Sequence, residues 1–399
     1  MNASLRTGFA VAGFVIGGGF GLSAQQQPGA QDTSGAGSQR PFVKGGYYDK
    51  PFVTRSFGRT AIGGYMEALW KFERTGGVTE AVGFEARRFN IFTHSVIAER
   101  LRIAAELEFE HGTEEIKLEF AFLDFEIHPA VNFRGGIILS PVGKFNLAHD
   151  SPLNNLTERP IVSTQIIPTA LSEAGLGFYG SLFPSAESRL TYEFYAVNGF
   201  HDGVLTNGEG TRIAEGRGGL GEDNNPLPSF VGRVAYSPMV ELEIGASLHT
   251  GPYNRYKVDQ FVVDDRRNLT IAAFDWEYRS TQFDVLGEYA HASIDVPPTL
   301  RGLFAEAQQG VYAQVNYHLG KGLLRFLPRS RFTVVGRYEL DDFDTELDGD
   351  SIQRFSIGLN FRPVEDTVFK LDYVYNWRWN RVEVLERGIG INFSVASYF

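Results

Sequence analysis

The chain has 399 residues, no cysteine and a formal net charge of −11. Without cysteine there is no disulfide framework and no thiolate metal or redox centre, and an acidic balance with no basic block excludes a nucleic-acid partner. An aromatic share of 14% and 45 Gly at only 43% hydrophobic content suit a sheet with one apolar face, one polar face and tight turns.

Residues 1–24 read as a signal peptide, with Arg6 as the positive region, Phe9 to Phe20 as the apolar stretch and Ser23-Ala24 at the cleavage site. The sequence thus predicts an exported chain, free of unwanted disulfides in an oxidising compartment. Residues 25–59 are rich in Gln, Gly, Ser and Pro without a sustained period, and read as a flexible periplasmic N-terminal segment.

From Thr60 onward the chain alternates. Leu101, Ile103, Ala105, Leu107 and Phe109 fall on one side and Arg102, Ala104, Glu106, Glu108 and Glu110 on the other, a period of two that a helix would smear around its circumference. The same reading places strands near 60–72, 83–95, 101–110, 116–125, 132–139, 175–183, 188–198 and 230–237. It continues with 240–250, 269–278, 282–291, 310–318, 332–341, 352–361, 367–376 and 387–399. Most are near the nine to eleven residues that a tilted strand needs to cross the hydrocarbon layer, and the count of sixteen is even.

Arg87 and Arg88 stand where the alternation slips, between Phe84 and Ala86 on one side and Phe89 and Ile91 on the other, which predicts a β-bulge turning both arginines inward. Short connections such as Pro184–Glu187 alternate with long ones such as Ser140 to Ala174 and Gly199 to Ser229; Leu319 to Arg331 is the long exception in the short set. Lipid offers no hydrogen-bond partner, so such a sheet must close. The predicted fold is therefore all-β, a transmembrane antiparallel β-barrel over 60–399 in the bacterial outer membrane, with outer-membrane lipid and lipopolysaccharide around it. Trp70, Phe72, Tyr236, Trp276, Tyr278, Tyr373 and Tyr375 fall near strand ends, where interfacial aromatic girdles form.

Three stretches carry a family resemblance: Arg134-Gly-Gly-Ile-Ile-Leu-Ser-Pro141-Val-Gly143-Lys-Phe-Asn146, Asn154-Asn155-Leu-Thr-Glu-Arg159-Pro160, and Ile167-Pro168-Thr-Ala-Leu-Ser-Glu173-Ala-Gly175-Leu-Gly177. With the alternating strand that ends on Phe399, they make the chain resemble the phosphate-selective porin O/P group of bacterial outer-membrane channels. The resemblance implies a sixteen-stranded, often homotrimeric barrel whose third outer loop, here Ser140 to Ala174, folds inward to narrow a pore. It also implies anions, phosphate among them, as the transported solute, and a terminal Phe399 read by the barrel-assembly machinery.

Candidate pore-constriction and ion-binding residues are Arg87, Arg88, Arg134, Lys144, His149, Arg159 and Glu173. The predicted inner wall carries thirteen acidic positions, Glu106, Glu288, Glu339 and Asp372 among them, against eight basic ones, Lys117 and Arg354 among them. That excess points to weak selectivity or a slight cation preference, against the phosphate that the resemblance implies. The alternative to a channel is a plugged or narrow barrel acting as an envelope anchor or a surface receptor through Gly199 to Ser229.

No enzyme is expected, and no catalytic, cofactor or metal residues. Gly216-Arg-Gly218-Gly-Leu-Gly221 has dinucleotide-fingerprint spacing but lies in an outer loop without strand-to-helix context. The histidines are scattered, and the acidic run from Asp341 to Asp350 lacks EF-hand spacing.

Overall fold

A strand that crosses lipid turns one set of alternate side chains outward and the other inward, so a lipid-crossing barrel should bury its charges and expose its hydrophobics. The computed structural model describes residues 43–50, 54–56, 60–208, 210–218 and 220–399; the signal-peptide reading over 1–24 lies outside them.

Sixteen long strands follow in order. They are β1 (Thr60–Thr75), β2 (Val78–Ala98), β3 (Leu101–Glu110), β4 (Glu115–His128), β5 (Val131–Leu139), β6 (Ser172–Leu182), β7 (Arg189–Val197) and β8 (Ser229–Met239). After them come β9 (Leu242–Pro252), β10 (Asn268–Arg279), β11 (Phe283–Ile294), β12 (Ala307–Leu319), β13 (Arg331–Asp342), β14 (Ser351–Val364), β15 (Thr367–Trp379) and β16 (Leu385–Tyr398). Each pairs antiparallel with its neighbours in sequence, and β16 pairs with β1 from Tyr398↔Tyr65 to Gly388↔Thr75, so the sheet closes. Every strand read from the alternation is present. The largest difference is in β2, which starts at Val78 and carries its hairpin up to Gly76 and Gly77.

Burial is inverted as expected. Along β3, Arg102, Ala104, Glu106, Glu108 and Glu110 are buried while Ile103 is exposed. Phe84, Phe194 and Phe393 are among the exposed outer residues. Among the described residues no helix is long and apolar enough to cross a membrane.

The seam is completed by backbone pairing of Gly64 with Phe399, each N–H donating to the other's carbonyl at 3.2 and 3.0 Å. A Cβ at Gly64 would collide with the Asn90 carbonyl and the Phe399 ring, so only glycine lets the chain ends meet there. Just beyond Phe399 the free edge of β1 is taken up by a short strand, Thr54–Ser56, paired with Thr60–Ile62.

One end of the barrel carries mostly short turns, such as 99–100, 129–130 and 365–366, with 320–330 the long exception. The other carries the long loops 140–171, 198–228 and 253–267. Loop 140–171 folds into the lumen, where Val142, Leu147, Val162, Ile166 and Leu171 join Phe200, Val204 and Ile213 of loop 198–228 in one buried apolar cluster. Val43 and Tyr47 belong to the same cluster. Residues 43–50, read from sequence as part of a flexible periplasmic segment, are therefore packed inside the barrel, because Val43, Tyr47 and Lys50 find partners there that composition alone does not reveal.

Candidate pore constriction

The inward loop is fixed by wall side chains around nearly the whole circumference. It opens at Gly143, whose φ of 66° and whose close approach to the Glu288 carboxylate both demand glycine. The Gly143 N–H donates to Ser247 Oγ at 2.9 Å, and the Phe145 N–H and Ser163 hydroxyl donate to the two Glu288 oxygens at 3.1 and 2.7 Å. Further along, the Ile161 N–H donates to Glu339 at 2.7 Å and the Thr157 N–H to Asp372 at 2.6 Å. Lys370 donates to the Ser151 carbonyl at 2.9 Å and Arg362 to the Pro152 carbonyl at 2.8 Å.

These contacts reverse the meaning of the wall count. Glu288, Glu339 and Asp372 are part of the acidic excess, yet each gives one oxygen to a backbone N–H of the loop. Carboxylate-to-N–H bonds are among the stronger hydrogen bonds in proteins, so these three wall carboxylates serve to hold the loop.

The seven candidate residues divide into two groups. Four are partnered within the protein. Arg134 is almost fully buried, grips Asp124 with two bonds of 2.7 and 2.9 Å, and lies 4.2 to 4.8 Å from the rings of Phe122, Tyr179 and Tyr47. Lys144 sits 2.6 Å from Glu277 and 2.9 Å from Glu243. Burial alone would lower its pKa, but those two carboxylates hold the ammonium above its ordinary value. His149 faces Glu119 at 3.1 Å and the Asn146 carbonyl at 2.9 Å. Glu173 meets His249 at 3.0 Å and accepts from the Ser140 hydroxyl.

The other three, Arg87, Arg88 and Arg159, meet at a cavity of about 760 Å³ between the inward loop and the strand wall. β1 and β2 pair Ala68 with Ala86 and Glu67 with Arg88, leaving Arg87 as the extra residue of a bulge. Both neighbouring arginines thereby line the cavity. Arg88 is held by Glu67 and Glu110, each at 3.0 Å, and by Glu108 at 3.3 Å. Arg87 reaches Glu158 of the loop at 3.1 Å. Burial would raise the Glu158 pKa, but Arg87 and the arginines behind it bring it down to about 2.

Arg159 is different. Its Nε and one terminal nitrogen are shielded and have no hydrogen-bond partner among the described residues. Burial, and next the adjacent Arg88, lower its pKa from the ordinary guanidinium value. Around it the cavity wall adds Lys117, Arg212, Arg217, Arg354 and Arg378, so eight cationic side chains face four glutamates, Glu108, Glu110, Glu119 and Glu158. Lys117 and Arg354 were legible from strand parity; Arg212 and Arg217 lie on a loop, where parity gives no signal, and Arg378 lies beyond the predicted strand end.

No family model matches the chain. A protein from Aquifex aeolicus (strain VF5), described only as uncharacterized, is 28% identical over 347 residues, spanning 79% of this chain and 75% of that one. Among solved structures, the outer membrane channel DcaP of Acinetobacter baumannii aligns with TM-score 0.57 at 13% identity, over 87% of this chain and 99% of that one. The anion-selective porin from Comamonas acidovorans aligns at 0.56 and 11% identity, over 85% and 99%. OprB of Pseudomonas putida aligns at 0.54 and 7% identity, over 86% and 94%. The resemblance to the O/P group rests on its motif residues alone; the fold is the closed sixteen-stranded antiparallel barrel that these porins have.

Proposed function

We propose that the chain is an outer-membrane porin that passes small hydrophilic solutes by passive diffusion and prefers anions, phosphate among them. The observation that carries this reading is Arg159, a shielded guanidinium with unpartnered N–H groups in a cavity where cationic side chains outnumber acidic ones two to one. An anion entering there gains charge-assisted hydrogen bonds that the protein itself leaves unmade, in a narrow space that focuses the field. The anion-selective neighbour and the O/P resemblance lend support of the same sign. The experiment is a planar-bilayer measurement of the zero-current potential under a salt gradient, with chloride and then phosphate as the anion. Discrete conductance steps with an anion-selective potential, lowered in Arg159→Ala, are expected; a cation-selective potential that is the same in both proteins would refute the preference.

A second reading, a plugged barrel serving as envelope anchor or receptor, is favoured by the apolar cluster that loop 140–171, loop 198–228 and residues 43–50 build across the lumen. Purified protein that never yields conductance steps would decide for it.

A further inference from the structure

Residues 43–50 lie in the lumen, and they end on Lys50, which is almost fully buried. Its ammonium is 2.7 and 2.8 Å from the two Asp150 oxygens and 2.7 Å from Glu106, with the rings of Phe92 and Phe120 at 5.2 and 5.8 Å. The carboxylates have other partners: Asn90 donates to Glu106 at 2.8 Å and the Tyr398 hydroxyl to Asp150 at 2.9 Å. Those bonds leave one opening between two negative oxygens and two ring faces, which suits a primary ammonium.

We propose that Glu106, Asp150, Phe92 and Phe120 form an ammonium site whose resident is this chain's own Lys50, and that its occupancy seats residues 43–50 as a tethered plug beneath the inward loop. The rest of the plug packs through Val43 and Tyr47. The Tyr47 hydroxyl donates to the Leu139 carbonyl at 3.0 Å, and its ring meets the edges of Phe120 and Phe122 at 4.9 Å. A segment latched by one ion pair and by the Tyr47 ring among Phe120, Phe122 and Arg134 is the part of the lumen filling that can leave while loop 140–171, bonded to the wall along its length, stays. The tether is the strand Thr54–Ser56, paired at the seam with β1. This inference rests on the porin reading only for its conductance consequence, since the seating of the segment is independent of any flux.

The test joins single-channel conductance with hydrogen exchange of the amides in 43–50, on the full chain and on Lys50→Glu, Lys50→Met and the charge-swapped pair Lys50→Glu with Asp150→Lys. Heat-modifiable gel mobility confirms that each variant is a closed barrel. Protection of 43–50 is expected in the parent chain and lost in Lys50→Glu, with conductance rising roughly 1.5- to 3-fold as the constriction widens, and both returning toward the parent in the swapped pair. Lys50→Met, which removes the charge without repulsion, is expected between them. Unprotected amides in the parent chain would overturn the ammonium site; lost protection with unchanged conductance would overturn the plug. If no protein conducts at all, the porin reading fails instead, and the exchange data alone judge whether Lys50 seats the segment.

Discussion

Arg87, the residue that the β2 bulge adds, lies 3.1 Å from Glu158 of the inward loop, so an irregularity in the wall is what catches the loop on its cavity side. Burial opposes the Glu158 charge and Arg87 more than offsets it, leaving a carboxyl that titrates near about 2 instead of near 4.5. A folded-state pKa below the unfolded one contributes stability above the unfolded value that is lost as pH falls through the folded one. Conductance should therefore be steady from neutral pH to about 4.5 and change between there and about 2. Recording the same titration on Glu158→Gln checks this: the acid transition should be gone. Both side chains keep some exposure, so the pair is worth about 1 kcal/mol or less.

Lys144 and Arg159 sit on one loop and should respond oppositely to removal. Lys144→Ala leaves Glu243 and Glu277 without their shared cation, though Arg233 stays on Glu243 and Arg279 on Glu277, so the cost should fall below the figure of about 3–5 kcal/mol for a fully orphaned buried charge. The thermal unfolding temperature should drop while the zero-current potential stays near the parent value. Arg159→Ala should do the reverse, lowering the anion-to-cation permeability ratio roughly twofold or more with little loss of stability. A raised ammonium pKa contributes stability present below 10.5 and lost only as pH rises past the folded value, so the Lys144 contribution should persist to that alkaline limit.

Arg134→Ala takes the guanidinium from Asp124, which keeps the Tyr179 hydroxyl at 2.9 Å, and empties the space among three aromatic rings. A loss of up to about 3–5 kcal/mol is expected for the broken buried ion pair, read as a lower temperature for the conversion seen in heat-modifiable mobility. Arg134→Lys should recover only part of it, because a point ammonium cannot reproduce the two-bond grip or the stacking.

Gly143→Ala tests the first anchor of the inward loop. The positive φ and the Glu288 carboxylate against its Cα both penalise a methyl group, so the cost should exceed about 1 kcal/mol. Conductance should become noisier or larger as the loop loses Ser247 and Glu288; an unchanged trace would mean that the anchors at Glu339 and Asp372 suffice.

Much of this architecture was legible in the sequence because period two is a local property. Leu101 to Glu110 declares its two faces without reference to any other strand, and the slip at Arg87 and Arg88 marks where the pairing skips a residue. Pairing of charges is not local. Nothing near Glu288, Glu339 or Asp372 in the chain reveals that their partners are N–H groups on a loop more than a hundred residues away. An inward-facing carboxylate counted from parity is thus a position, not yet a field. Lys50 was missed for the same reason: it stands in a polar, glycine-rich stretch, and its significance lies in Glu106 and Asp150.

The Gly64–Phe399 pairing joins the two ends of the described barrel. Until both are present, β1 and β16 are edges paired on one side only, each with a row of free backbone donors and acceptors open to pairing with another molecule's strand. The final ring closure has the highest sequence separation of any contact in the sheet and gains nothing from its loop-closure entropy until it forms. Assembly of this molecule is accordingly all-or-none at the seam, and a chain stopped short of its last strand should aggregate rather than form a smaller pore.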